Sequence, residues 1–129
     1  MTQEEKQLFI RDLCARLPYG VKILYEGWDS DHGCGYETVE TLIGIDDRFV
    51  YTVWNGGRYK HSLSAASYKS YLRPISSMTE DEEREFEGTL QYTQYTLESY
   101  DWFNAHHFDY RDLIEKGLAI EAKPEIYKI

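Results

Sequence analysis

With 129 residues the chain has the length of one domain and can bury a core without disulfide or metal staples. Its formal charge of −9 argues against a nucleic-acid binder, because neutralising phosphates supplies most of that affinity. Two cysteines make no disulfide framework. There is no N-terminal apolar leader region and no run long enough to span a bilayer, so the expectation is a cytoplasmic protein with reduced thiols.

Thr2 with Glu5 forms a capping box, and Phe9, Ile10, Leu13, Cys14 and Leu17 recur at helical spacing. This predicts a helix over 2–17 packed on a sheet, with Cys14 as a small core residue; Pro18 and Gly20 end it. Val21 to Glu26 alternates and reads as a strand. Trp28 to Gly35 carries turn formers without an apolar period and reads as a loop.

Two longer strands follow, Glu37 to Ile45 and Arg48 to Trp54. Asn55-Gly56 marks a tight turn, and Arg58 to Leu63 returns as a fourth strand. Two-residue turns would place Val39, Ile43, Ile45, Val50, Trp54, Tyr59 and Leu63 on a core face. Leu42, Phe49, Tyr51, Val53, Arg58 and Lys60 fall on the other face, which is too apolar for plain solvation and calls for a cover. Ser64 to Leu72 fits a helical turn or an irregular strand, and Arg73-Pro74 breaks it.

Thr79 and Glu82 make a second capping box at the head of an acid-dense first turn. If that helix runs on past Gly88, Phe86, Leu90, Thr93, Leu97 and Tyr100 share one stripe. Tyr92, Tyr95, Trp102 and Phe103 share the opposite one, which is then buried on a second side or offered to a partner. After the bend at His106-His107-Phe108, Asp109 can cap a short last helix from Tyr110 to Lys116, with Gly117 at its left-handed end. The predicted fold is α+β in a single domain, residues 1–129. It has an N-terminal helix, a four-stranded antiparallel meander that can curl toward a small barrel, a long acidic helix and a short last helix.

Charge is segregated along the chain. No acid occurs between Arg48 and Thr79, whereas Glu80 to Glu115 holds 11 acids and two bases. A basic sheet beside an acidic helix would satisfy this internally; otherwise one or both patches face a partner.

Three segments carry a resemblance: Asp12 to Val21, Leu72 to Glu80 and His107 to Ala119. Together they resemble a group of small uncharacterised proteins, of unknown function, encoded by gut bacteria and their phages or other mobile elements. The resemblance implies a phage-related accessory protein, a class rich in binding and inhibitor proteins, and it implies no activity.

No residue set is assigned to catalysis, to a metal or to a cofactor. Phosphate-cradling, nucleophile-elbow and zinc spacings are missing from the sequence. The candidate partner-binding residues are Tyr92, Tyr95, Trp102 and Phe103 with Glu80, Glu83 and Glu87, where an acidic helix could also mimic nucleic acid. Phe49, Tyr51, Arg58 and Lys60 form a candidate sheet-face platform, the arrangement single-strand binders use; its simpler reading is a face covered by the long helix. An enzyme alternative, a small hydrolase or metal enzyme, would use His32 with Cys34 (His61 is another possible base) or the His106-His107 bend. The reading favoured is a non-enzymatic binding, adaptor or inhibitor module. Its expected partner is a protein, another one or a second copy in a homodimer, rather than nucleic acid or membrane.

Overall fold

Thr2 caps the first helix as its sequence predicts: its hydroxyl accepts from the Glu5 N–H, and the Glu5 carboxylate accepts from the Thr2 N–H. The computed structural model describes residues 2–63 and 68–127. Helix α1 (Gln3–Arg16) leads through a short 3₁₀ turn, Leu17–Tyr19, into strand β1 (Lys22–Asp29). Strands β2 (Cys34–Ile45), β3 (Phe49–Trp54), β4 (Gly57–Ser62) and β5 (Tyr68–Leu72) follow. Then come helices α2 (Glu80–Glu87) and α3 (Leu97–Ala105), strand β6 (Ala119–Glu121) and a last helical turn, α4 (Pro124–Tyr127).

The fold is α+β with an N-terminal helix, but the sheet is six-stranded and mixed, in the order β4-β3-β2-β1-β5-β6. The expected four-stranded meander is therefore corrected. Tyr68–Leu72 crosses to pair antiparallel with β1, and Ala119–Glu121 adds in parallel beside it. The sheet curls without closing. Tyr25 on β1 and His61 on β4 stack with centroids 3.8 Å apart, although strands three places apart in a flat sheet would lie about 14 Å from each other.

Helix α1 fills the concave side. Phe9 and Leu13 pack with Ile23, Leu42, Val50, Tyr68 and Leu72, and Leu113 and Leu118 close the core from below. Cys14 is exposed, against expectation. The buried arc of α1 is Phe9, Asp12, Leu13 and Arg16, because the helix is also covered on a second flank, by residues around Phe108 and Arg111. There Arg16 Nε donates to Asp12 at 2.8 Å and its Nη2 to the Phe108 carbonyl at 2.6 Å, while Arg111 takes the other Asp12 oxygen. Both members of the Asp12–Arg16 pair are fully buried.

Asn55 and Gly56 both adopt positive φ in the predicted tight turn, and Thr52 faces Tyr59 as expected. The β2–β3 register departs from expectation. A bulge at Ile43 lets Leu42 face Thr52 and Ile45 face Val50. Leu42 is thereby buried, and Val39 and Ile43 turn to the exposed face. Trp54 and Tyr59 stay on the concave side yet are exposed. The stretch read as a loop, Trp28–Gly35, is instead half paired strand, with the turn confined to 30–33. The part of Ser64–Leu72 before Tyr68 lies outside the described residues.

The predicted long helix is two helices. The chain leaves α2 at Gly88, makes a tight turn with Gln91 and Gln94 exchanging backbone hydrogen bonds, and restarts at Thr96, whose hydroxyl caps the Ser99 N–H. Thr89 fixes the break: its hydroxyl donates to the Phe86 carbonyl, and its own carbonyl accepts from Thr96 and Ser99. The last helix expected over 110–116 is a turn. Asp109 does cap it, accepting from the Leu113 and Ile114 N–H groups, and Gly117 takes positive φ.

Candidate functional site

Helix α2 begins at a capping box, Thr79 with Glu82, and carries Glu80, Asp81, Glu82 and Glu83 in its first turn, where the helix dipole favours negative charge. Glu82 is held by more than the cap. Both its oxygens accept from the Arg73 guanidinium at 2.7 and 2.8 Å, and this fork lowers its pKa to about 2, with the Thr79 contacts adding to it. Arg73 in turn lies 4.1 Å over the Phe108 ring. Among the described residues this is the ion pair that joins the basic stretch to the acidic one; Arg58 and Lys60 remain on the exposed β4 strand.

Behind α2 sits a second hydrophobic core made of Phe86, Trp102, Phe103 and Phe108, with Met78, Leu90 and Tyr110 against it. Trp102 stacks on His106 and on Phe108, and its indole N–H donates to Glu85 at 2.9 Å. Trp102 and Phe103 are therefore buried within the chain. The single stripe expected for Tyr92, Tyr95, Trp102 and Phe103 does not exist, because the break after Gly88 rotates α3 relative to α2.

Tyr92 and Tyr95 are at the surface. Tyr92 is 93% exposed at the tip of the turn, with φ of 61°, a left-handed conformation that costs a tyrosine about 1–2 kcal/mol. Tyr95 stands edge-on to Phe86 and Phe103 and is half exposed. Leu97, the first residue of α3, is 85% exposed, and Tyr100 and Ile75 add to the same corner. A shallow groove runs between Ile75, Phe86, Tyr95 and Phe103, with Glu83 and Glu87 on its rim. Four of the expected partner-binding residues (Tyr95, Phe103, Glu83 and Glu87) thus line one groove, with Glu80 on the same helix. The corner can receive an apolar side chain flanked by cations.

The sheet-face platform is also assembled. Phe49 and Tyr51 on β3 and Arg58 and Lys60 on β4 share the convex side, and Lys60 Nζ lies 4.3 Å from the Phe49 ring. Tyr51 is tethered to Asp46 by its hydroxyl. The expected cover by the long helix is not found: α3 packs on α1 and the 3₁₀ turn, and none of the described side chains on this face is fully buried.

The enzyme candidates do not converge. His32 and Cys34 lie exposed at the tip of the β1–β2 hairpin, where His32 Nδ1 contacts Asp29 at 2.7 Å. That contact, with backbone N–H donors, lowers the Asp29 pKa. His106 stacks on Trp102 and bonds its carbonyl, whereas His107 turns inward onto Tyr127 at 3.7 Å. Burial, with Arg16 nearby, lowers the His107 pKa to about 4. Among the described residues no three His, Cys, Asp or Glu side chains gather as a metal site.

One polar cluster went unforeseen. Glu40 is buried on the concave face and accepts from Thr52 at 2.6 Å, from His61 Nε2 at 2.7 Å and from Thr38. Burial alone would raise its pKa, but these three donors outweigh it and the net shift is downward. Tyr25 and Tyr59 flank the His61 ring. Both carboxylate oxygens are occupied, so the cluster pins β2 to β4, and Cys34 is six residues away along β2, about 20 Å. Only the bulge, invisible in the sequence, puts Glu40 on this face. Comparison with protein-family models, curated proteins and solved structures finds no match to this chain.

Proposed function

We propose that this chain is a non-enzymatic binding module that docks another protein on the acidic, aromatic corner formed by α2, the 88–96 turn and the start of α3. The observation that carries this reading is Tyr92. Its ring gains almost nothing from burial, and its backbone sits in a conformation where glycine or asparagine is usual. A residue that costs stability and contributes no packing is accounted for by contact with something outside the chain. Leu97 and Tyr95 beside it extend the apolar area, and Glu83, Glu87, Glu98 and Asp101 set its charge. The partner surface this fits is apolar at its centre and basic at its rim. The resemblance to phage and mobile-element proteins supports a role as an inhibitor or adaptor of a host protein.

The test uses two variants, Tyr92→Gly and Leu97→Ser, each compared with the wild type by thermal melt and by affinity co-purification from the source cells. Both variants should stay folded, with Tyr92→Gly no less stable than the wild type, since strain relief offsets the entropy of glycine, each about 1 kcal/mol. A protein recovered with the wild type should be lost with both. Recovery of the same protein with either variant, or none with the wild type, would refute the reading.

A further inference from the structure

The β1–β2 hairpin outruns its neighbours. β3 pairs only with Thr41–Ile45 of β2, and β5 only with Ile23–Tyr25 of β1. Beyond them Glu26–Asp29 and Cys34–Glu37 form a two-stranded arm reaching roughly 10–13 Å past the sheet. An isolated two-stranded ribbon is marginal in water. This one also holds Trp28 67% exposed and sets the like charges of Glu26 and Glu37 directly opposite each other, which is unfavourable. From Ile23 to Asp47 there are seven acids and no lysine or arginine.

The complement lies at the other side of the same sheet. β4 ends the strand order, so its outer edge has no neighbouring strand among the described residues, and Arg58 and Lys60 are exposed on it. Charged edge strands ordinarily deter pairing, but here the second unpaired edge carries the opposite charge.

We propose that copies of this chain associate edge to edge, the β2 side of one copy's arm adding antiparallel to β4 of the next. Face and charge specify the same alignment. Tyr36 lies on the concave side, like Tyr59 and His61, as its contacts with Tyr25 and Gly27 show. Glu37 lies on the convex side, like Arg58 and Lys60. The register that sets Tyr36 against Tyr59 brings Glu37 to Arg58, with Lys60 two pairs further along, and keeps β4 of the next copy below the chain's own β3, which begins pairing at Thr41. A slip of one residue would move Glu37 onto the aromatic face and leave the cations unanswered. This surface is separate from the α2–α3 corner.

Sedimentation velocity of the purified full chain over a wide concentration range tests it, together with Glu37→Lys and with the double change Arg58→Glu, Lys60→Glu. The wild type should associate above the 15.3 kDa monomer. Each variant alone should weaken association by about tenfold or more, because it sets like charges together. Mixing the two variants should restore it, since each arm then meets an edge of opposite sign. A wild type monomeric throughout would overturn the proposal and leave the corner's binding of another protein intact. Association indifferent to both changes, or a mixture that stays monomeric, would overturn it equally. The exchanged residues are all exposed, and a circular-dichroism melt of each variant verifies its fold.

Discussion

Trp102→Ala removes the largest side chain of the second core. Trp102 is 8% exposed and sits between His106 and Phe108 while touching Phe86 at 5.2 Å between centroids. Replacing it by alanine strips about 150–200 Å² of burial, worth roughly 4–5 kcal/mol at about 25 cal/mol per Å². A compact unfolded state lowers that to about 3–4 kcal/mol. The lost bond to Glu85 adds little, since that carboxylate is exposed and regains water. The expected destabilisation is therefore about 3–5 kcal/mol, as for other aromatic truncations. Urea unfolding of both proteins, compared at one low protein concentration, measures it. A loss below about 1 kcal/mol would refute burial of α3 against α2 and Phe108.

Two further outcomes follow from buried charge. Asp12→Ala leaves the Arg16 guanidinium fully buried without its counter-ion and should cost about 3–5 kcal/mol in the same assay, whereas Asp12→Leu with Arg16→Met should recover most of it; equal losses in both would refute the account. His107 has a folded pKa of about 4 against an ordinary 6.5, so the unfolded chain takes up the proton first and stability falls as pH drops from about 6.5 toward 4. The loss is at most about 3 kcal/mol; His107→Asn, which tolerates the positive φ, should remove that part of the pH slope, and an unchanged slope would contradict it.

Local chemistry was legible in the sequence. Two capping boxes, Thr2 with Glu5 and Thr79 with Glu82, and the Asn55-Gly56 turn form as read, because each depends on a few neighbouring residues. What was not legible depends on distant ones. The bulge at Ile43 is a register choice beside Gly44, whose backbone the Tyr51 ring covers, and it moves Val39, Glu40, Leu42 and Ile43 to opposite faces at once. The Thr96–Ser99 cap that restarts α3 lacks the glutamate or glutamine of a usual capping box, so the periodicity ran through it. In the candidate site Tyr92, Tyr95 and the α2 acids are visible, while Trp102 and Phe103 share a stripe with the two tyrosines only if the helix is continuous, and it is not. Asp12 and Arg16 stand four residues apart on α1, and it is the helix's second flank that buries them.

The most direct measurement of the central claim is photo-cross-linking in the source cells, with benzoylphenylalanine at position 92 and, as a control, at exposed position 115, outside α2 and α3. The corner on α2 and α3 predicts a discrete protein adduct from position 92 and none from position 115. No adduct from position 92, or the same adduct from both, would contradict it.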